Sequence, residues 1–268
     1  MSSSPHRSIQ HSIGIFAVSV LLVIVTSRLQ AAQQPGPPPP MQAPVPAAPL
    51  PPGQLQQLVA PIALYPDSLV AQILAAATYP TQIVEAERFL QQNPGMTGTA
   101  LASAVDQQDW DPSVKALTAF PSVLADMNRN LSWTSELGDA NYNQSADVMN
   151  AIQFMRQKAQ QAGNLNSNPQ EAVNDVDGNV EIAPANPEVV YVPEYDPESV
   201  YGYPVGLWPG IDPWWGVGGP YMSFGLGIGV GPFFGFGWGW NHWGCGWGAR
   251  RRIDVWRRPV FFPQQCIL

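Results

Sequence analysis

Prolines placed just ahead of apolar-periodic runs set the tightest limit on what this chain can fold into. Tyr65-Pro66-Asp67, Tyr79-Pro80-Thr81 and Phe120-Pro121-Ser122 each join an aromatic residue, a proline and a residue suited to starting a helix. Trp110-Asp111-Pro112 is a variant in which Asp111 suits the N-cap and Pro112 the first helical position. Proline inside a helix removes a hydrogen bond and clashes with the preceding turn, whereas its fixed φ suits a helix start. The helices between these points are therefore short, and the aromatic ahead of each proline is placed to pack under the corner. The prolines at 66, 80, 112 and 121 follow no fixed period, so the pattern is not a stacked repeat array.

Apolar residues recur at helical spacing between these starts. Leu69, Val70, Ile73, Leu74 and Ala77 share one face, and so do Ile83, Ala86, Phe89 and Leu90. Leu101, Ala104 and Val105 mark a third helix, Val114 and Leu117 a fourth, and Val123, Leu124 and Met127 a fifth. Val148, Ile152, Met155, Ala159 and Ala162 mark a long last helix ending near Gly163, a natural C-cap. The spacing predicts a mainly α fold, a compact bundle of short helices over residues 53–165.

A small β segment is expected over residues 166–203. Gly178 supplies a turn before Val180-Glu181-Ile182, and Pro187-Glu188-Val189-Val190-Tyr191 nearly recurs as Pro197-Glu198-Ser199-Val200-Tyr201. Two Val/Tyr-rich runs separated by Pro193 to Pro197 suggest a β-hairpin or paired extended segments, confined by their prolines to edges.

Both flanks are of another kind. Ile13 to Val25 is an uncharged, largely apolar run of 13 residues behind a weakly basic start, and Ala31 and Ala32 follow. That is short for a membrane span and about right for a secretory signal, so residues 1–32 read as a signal peptide. No Cys follows the run, which excludes a lipid-modified N-terminus. Residues 33–52 are a Pro-rich linker with the physics of polyproline II, extended and unable to form a core. Residues 204–268 form a Gly/Trp/Pro-rich low-complexity tail, expected to be disordered, that holds 8 of the 10 tryptophans. Within it Met222 to Trp240 is uncharged and is followed by Arg250, Arg251, Arg252, Arg257 and Arg258. That order suits a membrane-associated or inserted segment.

Charge narrows the partners. Residues 33–203 carry 18 acidic side chains against 5 Lys/Arg, which excludes nucleic acid, whose phosphates need clustered cations. Catalytic constellations are hard to find. His242 is the one histidine beyond the signal, so a hydrolase triad has little to build on. His242 and Cys245 have metal-ligand spacing with Cys266 as a third donor, short of the usual four for zinc. Cys245 and Cys266 either pair in a disulfide, as export permits, or remain thiols. Asp175-Val176-Asp177-Gly178 has part of a calcium-loop pattern, but Glu181 comes too early to be its bidentate ligand. Asp106, Asp109 and Asp111 around Trp110, with Glu85 and Glu87 on one helix, are the carboxylates from which a glycan hydrolase would have to be built.

Four blocks carry a family resemblance: LVAPIALYPDSLVAQILAAATYP, WDPSVKALTAFPSVLADM, GDANYNQSADVMNAIQFMR and EIAPANPEVVYVPEYDPESVYG. In this order they resemble the bacterial domain-of-unknown-function family 3300, over about Gln54 to Tyr203, and WGWNHWGCGW is similar to the Gly/Trp-rich C-terminal regions of its members. The resemblance implies a bacterial, exported protein of the cell envelope and supplies no catalytic residue. The sequence thus points to a non-enzymatic binding or structural module, with no catalytic, cofactor or metal residue assigned. Its expected partner is an envelope component, whether protein, glycan or membrane surface, and self-association is open to it. A carboxylate-dependent cell-wall glycan hydrolase and a self-assembling or membrane-anchored envelope protein are the alternatives.

Overall fold

The structure is a computed structural model that describes residues 48–215 and 221–247. The signal peptide, most of the Pro-rich linker, the tail arginines and Cys266 lie outside the described residues. Eight helices are present among the described residues: α1 (Pro52–Val59), α2 (Asp67–Ala76), α3 (Pro80–Gln92), α4 (Gly98–Asp106), α5 (Pro112–Leu117), α6 (Pro121–Arg129), α7 (Leu131–Asn143) and α8 (Ser145–Gln161). The mainly α bundle of short helices is therefore as expected. Pro80, Pro112 and Pro121 are first residues of helices, and Pro66 sits one position ahead of α2. Asp111 caps α5, its Oδ1 accepting the Ser113 amide at 2.9 Å. Tyr65 and Phe120 are buried under their corners, whereas Tyr79 stands 40% exposed and does not pack as the pattern suggested.

The core is organised around α2, whose residues from Leu69 to Ala76 are all buried. A helix buried on every side has to be wrapped, and α5, α7, β2 and the tail do so. Helix α7 is the element that apolar periodicity marks least, because its inward face includes Thr134, Gly138 and Asn141 beside Trp133 and Leu137. Gly138 lies so close to the end of α2 that a Cβ there would come 2.2 Å from the Ala77 carbonyl oxygen. Close backbone approach, rather than a broad apolar stripe, seats this helix. The Asn141 amide donates to the Leu74 carbonyl at 3.1 Å across the same contact.

The β segment differs in pairing from the sequence expectation. Its hairpin is β1 (Glu171–Val176) with β2 (Asn179–Pro184), antiparallel, with Val176 opposite Asn179. The two turn residues, Asp177 at φ 53° and Gly178 at φ 83°, supply the left-handed conformations that a two-residue hairpin turn requires. Asp177 is thus a turn residue. Val180 and Ile182 of β2 face the core. The near-duplicated runs do not pair with each other. Val189–Val190 (β3) pairs with Ile228–Gly229 (β6), and Pro193–Glu194 (β4) pairs with Ser223–Phe224 (β5). The second copy, Pro197 to Tyr201, forms a turn that buries Val200 and Tyr201.

The tail divides. Residues 204–215 and 221–247 are folded against the bundle, where a disordered segment was expected, while 216–220 and 248–268 lie outside the described residues. Val230, Phe233, Trp238, Trp240 and Trp243 are buried in the common core. Trp240 lies on Phe120 with ring centroids 5.5 Å apart, and Trp214 lies on Trp133 at 5.2 Å. Met222 to Trp240 is built from β5, β6 and a 3-10 turn at Gly231–Phe233. Among the described residues no helix is long and apolar enough to cross a membrane. The physical reason for the difference is supply and demand for apolar surface. The bundle leaves α2 and α5 uncovered on one side, and indole and phenyl rings are the largest apolar groups available to cover them.

Candidate functional site

Four of the five carboxylates from which a hydrolase would have to be built are engaged in structural contacts. Asp106 accepts the Trp238 indole N–H at 2.8 Å and so anchors the tail to α4. Glu85 accepts the Trp110 indole N–H at 3.1 Å, Glu87 accepts the Gln91 amide at 2.9 Å, and Asp111 is a cap. Asp109 is exposed. His242 closes a 3-10 turn at Trp240–His242, and the Cys245 thiol lies 3.4 Å from the Asp67 carbonyl oxygen. Cys266, the candidate third donor or disulfide partner, lies outside the described residues. Among the described residues no three His, Cys, Asp or Glu side chains gather as a metal cluster would.

One charged residue that sequence reasoning passed over organises the interior. Arg156 of α8 is fully buried. Its Nε donates to the Ala63 carbonyl at 2.8 Å, and its Nη2 donates to the Tyr65 carbonyl at 2.9 Å. Its Nη1 reaches both Asp67 Oδ1 at 2.6 Å and the Val180 carbonyl at 2.8 Å. The Trp247 ring lies 4.6 Å from the guanidinium carbon, and its indole N–H donates to Asp67 Oδ2 at 2.8 Å. The planar fork of arginine thereby ties α8, the α1–α2 loop, α2, β2 and the tail at one point. Nearby Glu171, at the start of β1, is 1% exposed. Burial pushes its carboxyl up to about 7. The Arg156 charge and the Asn168 side chain oppose that rise, although neither Glu171 oxygen has a partner in hydrogen-bonding geometry.

A carboxyl held above its free value binds its proton more tightly folded than unfolded. Its contribution is fully present below about pH 4.5 and is lost as pH rises through about 7. The expected span is on the order of 2–3 kcal/mol. Thermal melts of the native chain should therefore show stability falling between pH 4.5 and 7.5. Glu171→Gln should flatten that slope and raise Tm at pH 7.5. An unchanged slope would show that Glu171 does not titrate in this window.

A cleft opens among the described residues where bundle, β segment and tail meet. It encloses about 540 Å³ and is lined by Tyr65, Asp126, Arg129, Glu194, Trp214 and Trp215, with Pro61, Pro121 and Pro193 among its walls. Tyr65 is fixed by the Pro66 corner, and Asp126 and Arg129 stand one turn apart at the end of α6. Their ion pair is 3.2 Å long. Glu194 comes from β4, and the two indoles come from the tail, with centroids 5.0 Å apart and planes at 73°. The Trp214 N–H donates to the Tyr65 hydroxyl at 3.4 Å. Tyr195 also lines the cleft, and the hydroxyls of Tyr195 and Tyr201 both donate to the Ala60 carbonyl, at 2.9 and 2.5 Å. Burial pushes the hydroxyls of Tyr65, Tyr195 and Tyr201 well above the usual phenol value, so all three stay neutral. Asp126 is pushed up to about 6, chiefly by burial and against the pull of Arg129, with Glu194 and Glu87 adding to the rise. An aromatic wall with acidic side chains is suited to binding, and Trp214 is held in it by the Tyr65 hydroxyl and by Trp133.

The family described as "Protein of unknown function (DUF3300)" matches residues 51–265, which takes in the bundle, the β segment and nearly all of the tail. The chain belongs to that family. It is 39% identical to the "Uncharacterized protein YacH" of Escherichia coli (strain K12) over an aligned stretch of 154 residues, 46% of this chain and 25% of that protein. The chain thus spans about a quarter of the length of the curated relative it matches. No solved structure matches. The extent of the family match agrees with the fold: the described tail is part of the domain and not an appendage to it.

Proposed function

We propose that this chain is an exported, non-enzymatic binding module of the cell envelope, and that the cleft at the bundle–tail junction is its binding surface. Export is supported by the apolar run Ile13 to Val25 and the small residues at Ala31 and Ala32. The observation that carries the binding role is the cleft, whose lining residues come from five separate stretches of chain, with the Tyr195 stretch tied to the Ala60 carbonyl through its buried hydroxyl. A surface assembled from so many segments is preorganised for a ligand. Of the carboxylates that a hydrolase would have drawn on, Asp106 and Glu85 are indole acceptors and Asp111 is a cap.

The test uses the full chain. Cell fractionation with N-terminal sequencing should find a mature protein beginning at Ala32 or Gln33, outside the cytoplasm. Purified mature protein should sediment with isolated envelope material, release no soluble glycan from it, and bind more weakly when Trp215 is changed to Ala. Retention of the intact chain in the cytoplasm would remove the export reading. A second reading is kept alive by one observation: Asp126, raised to about 6, shares the cleft with Glu194, a carboxylate pairing of the kind glycan hydrolysis uses. Glycan release that disappears in both Asp126→Asn and Glu194→Gln would replace the binding module with that enzyme.

A further inference from the structure

We infer that the ligand of the cleft is an uncharged saccharide chain. This rests on the cleft being the binding surface of an envelope module. The first argument is the wall. Trp214 is fixed between Trp133, at 5.2 Å, and the Tyr65 hydroxyl, and Trp215 packs edge-on against it at 5.0 Å. Both indoles line the cleft while remaining partly open to solvent. Flat aromatic faces carry negative potential and match the C–H faces of pyranose rings, which present slightly positive hydrogens. Rigid indoles also lose little conformational entropy on binding.

The polar groups fit the same ligand. Glu194 is exposed at the cleft, and Asp126 and Arg129 stand beside it. Carboxylate oxygens accept from vicinal hydroxyls and a guanidinium donates to ring or hydroxyl oxygens, so a sugar finds both kinds of partner. Charge excludes competitors. The cleft holds two carboxylates against one arginine, which is already paired with Asp126 at 3.2 Å. The chain around it is strongly acidic, with 18 acidic side chains against 5 Lys/Arg over residues 33–203. Polyanionic glycans and anionic lipid headgroups would meet repulsion. Peptides bound by strand addition need backbone donors along an edge, but Pro193 supplies none in β4, and Pro61 and Pro121 supply none in the walls. The volume, about 540 Å³, falls among small-ligand sites (~300–1,000 Å³) and suits a short stretch of chain at a time.

The experiment titrates the full mature chain with neutral hexasaccharides (N-acetylglucosamine hexamer, maltohexaose and cellohexaose) by tryptophan fluorescence and calorimetry. Polygalacturonate and a proline-rich decapeptide run alongside. At least one neutral hexasaccharide should bind, with affinity nearly independent of salt, while polygalacturonate does not. Trp215→Ala should weaken that binding tenfold or more and Glu194→Gln by several-fold. Tm of both variants should stay at the native value, which separates lost contacts from lost fold. Binding of the peptide alone, or of polygalacturonate in preference, would overturn the inference. So would saccharide binding that survives Trp215→Ala. Failure of every hexasaccharide while the protein still sediments with envelope material through Trp215 would also overturn it, and would leave the envelope module standing with another ligand.

Discussion

Replacing Arg156 with alanine should lower the stability of the native chain by about 3–5 kcal/mol, the usual cost of breaking a buried ion pair from one side. At this domain size that corresponds to a fall in Tm of roughly 10 °C or more. The substitution strands three carbonyls, those of Ala63, Tyr65 and Val180, and leaves Asp67 facing a cavity. Arg156→Lys should recover only part of the loss. An ammonium on a flexible stem cannot hold four acceptors in the plane of a fork. Melting of both variants by circular dichroism checks the expectation, and equal stability of the lysine variant and the native chain would show that charge alone matters at this point. Because Trp247 stacks on the guanidinium and donates to Asp67, the alanine variant should also leave the end of the described tail more open to proteolysis than native.

Ending the chain at Tyr203 should be more damaging still. The cut removes Val230, Phe233, Trp238, Trp240 and Trp243 from the core, each a fully or almost fully buried side chain. At about 1.5–3 kcal/mol for each such group, the loss is comparable with the whole stability of an ordinary domain, about 5–15 kcal/mol. It also strips the partners from β3 and β4, leaving two short edges unpaired. The truncated chain should lose its sharp thermal transition and expose apolar surface to a hydrophobic dye. A cooperative melt within a few degrees of native would show the helical bundle to be complete without the tail. Aggregation of this truncated form would reflect an opened core, and would say nothing of self-association by the native chain.

The helical part was legible because its signals are local. Proline at 80, 112 and 121 fixes helix starts through its own ring, and Asp111 caps through a bond to Ser113 two residues away. The α8 stripe of Val148, Ile152, Met155 and Ala159 is buried as its spacing demands. Helix α7 was less legible because Gly138 and Asn141 work by close approach to a helix sixty residues earlier. Arg156 was invisible for a similar reason. A lone arginine on an otherwise ordinary helix becomes a hub only when carbonyls from the α1–α2 loop and β2 converge on it. Nor does anything in the local sequence mark Asp126, Glu194 and Trp215 as neighbours, since they lie on α6, on β4 and in the tail.

What the sequence determined by itself is the class of structure: short proline-started helices, a turn at Gly178 and an acidic, aromatic-ended chain. Each of these follows from backbone sterics or side-chain chemistry within a few residues. Tertiary structure alone decided the fate of the tail. Its glycines and tryptophans look like low complexity in one dimension. In three, Gly227 leaves room for Val189 and Tyr191, where a Cβ would come within 2.7 Å, while the neighbouring rings fill the uncovered side of α2 and α5. Burial is a property of surfaces that meet, and the surface these rings cover is formed by residues more than a hundred positions away.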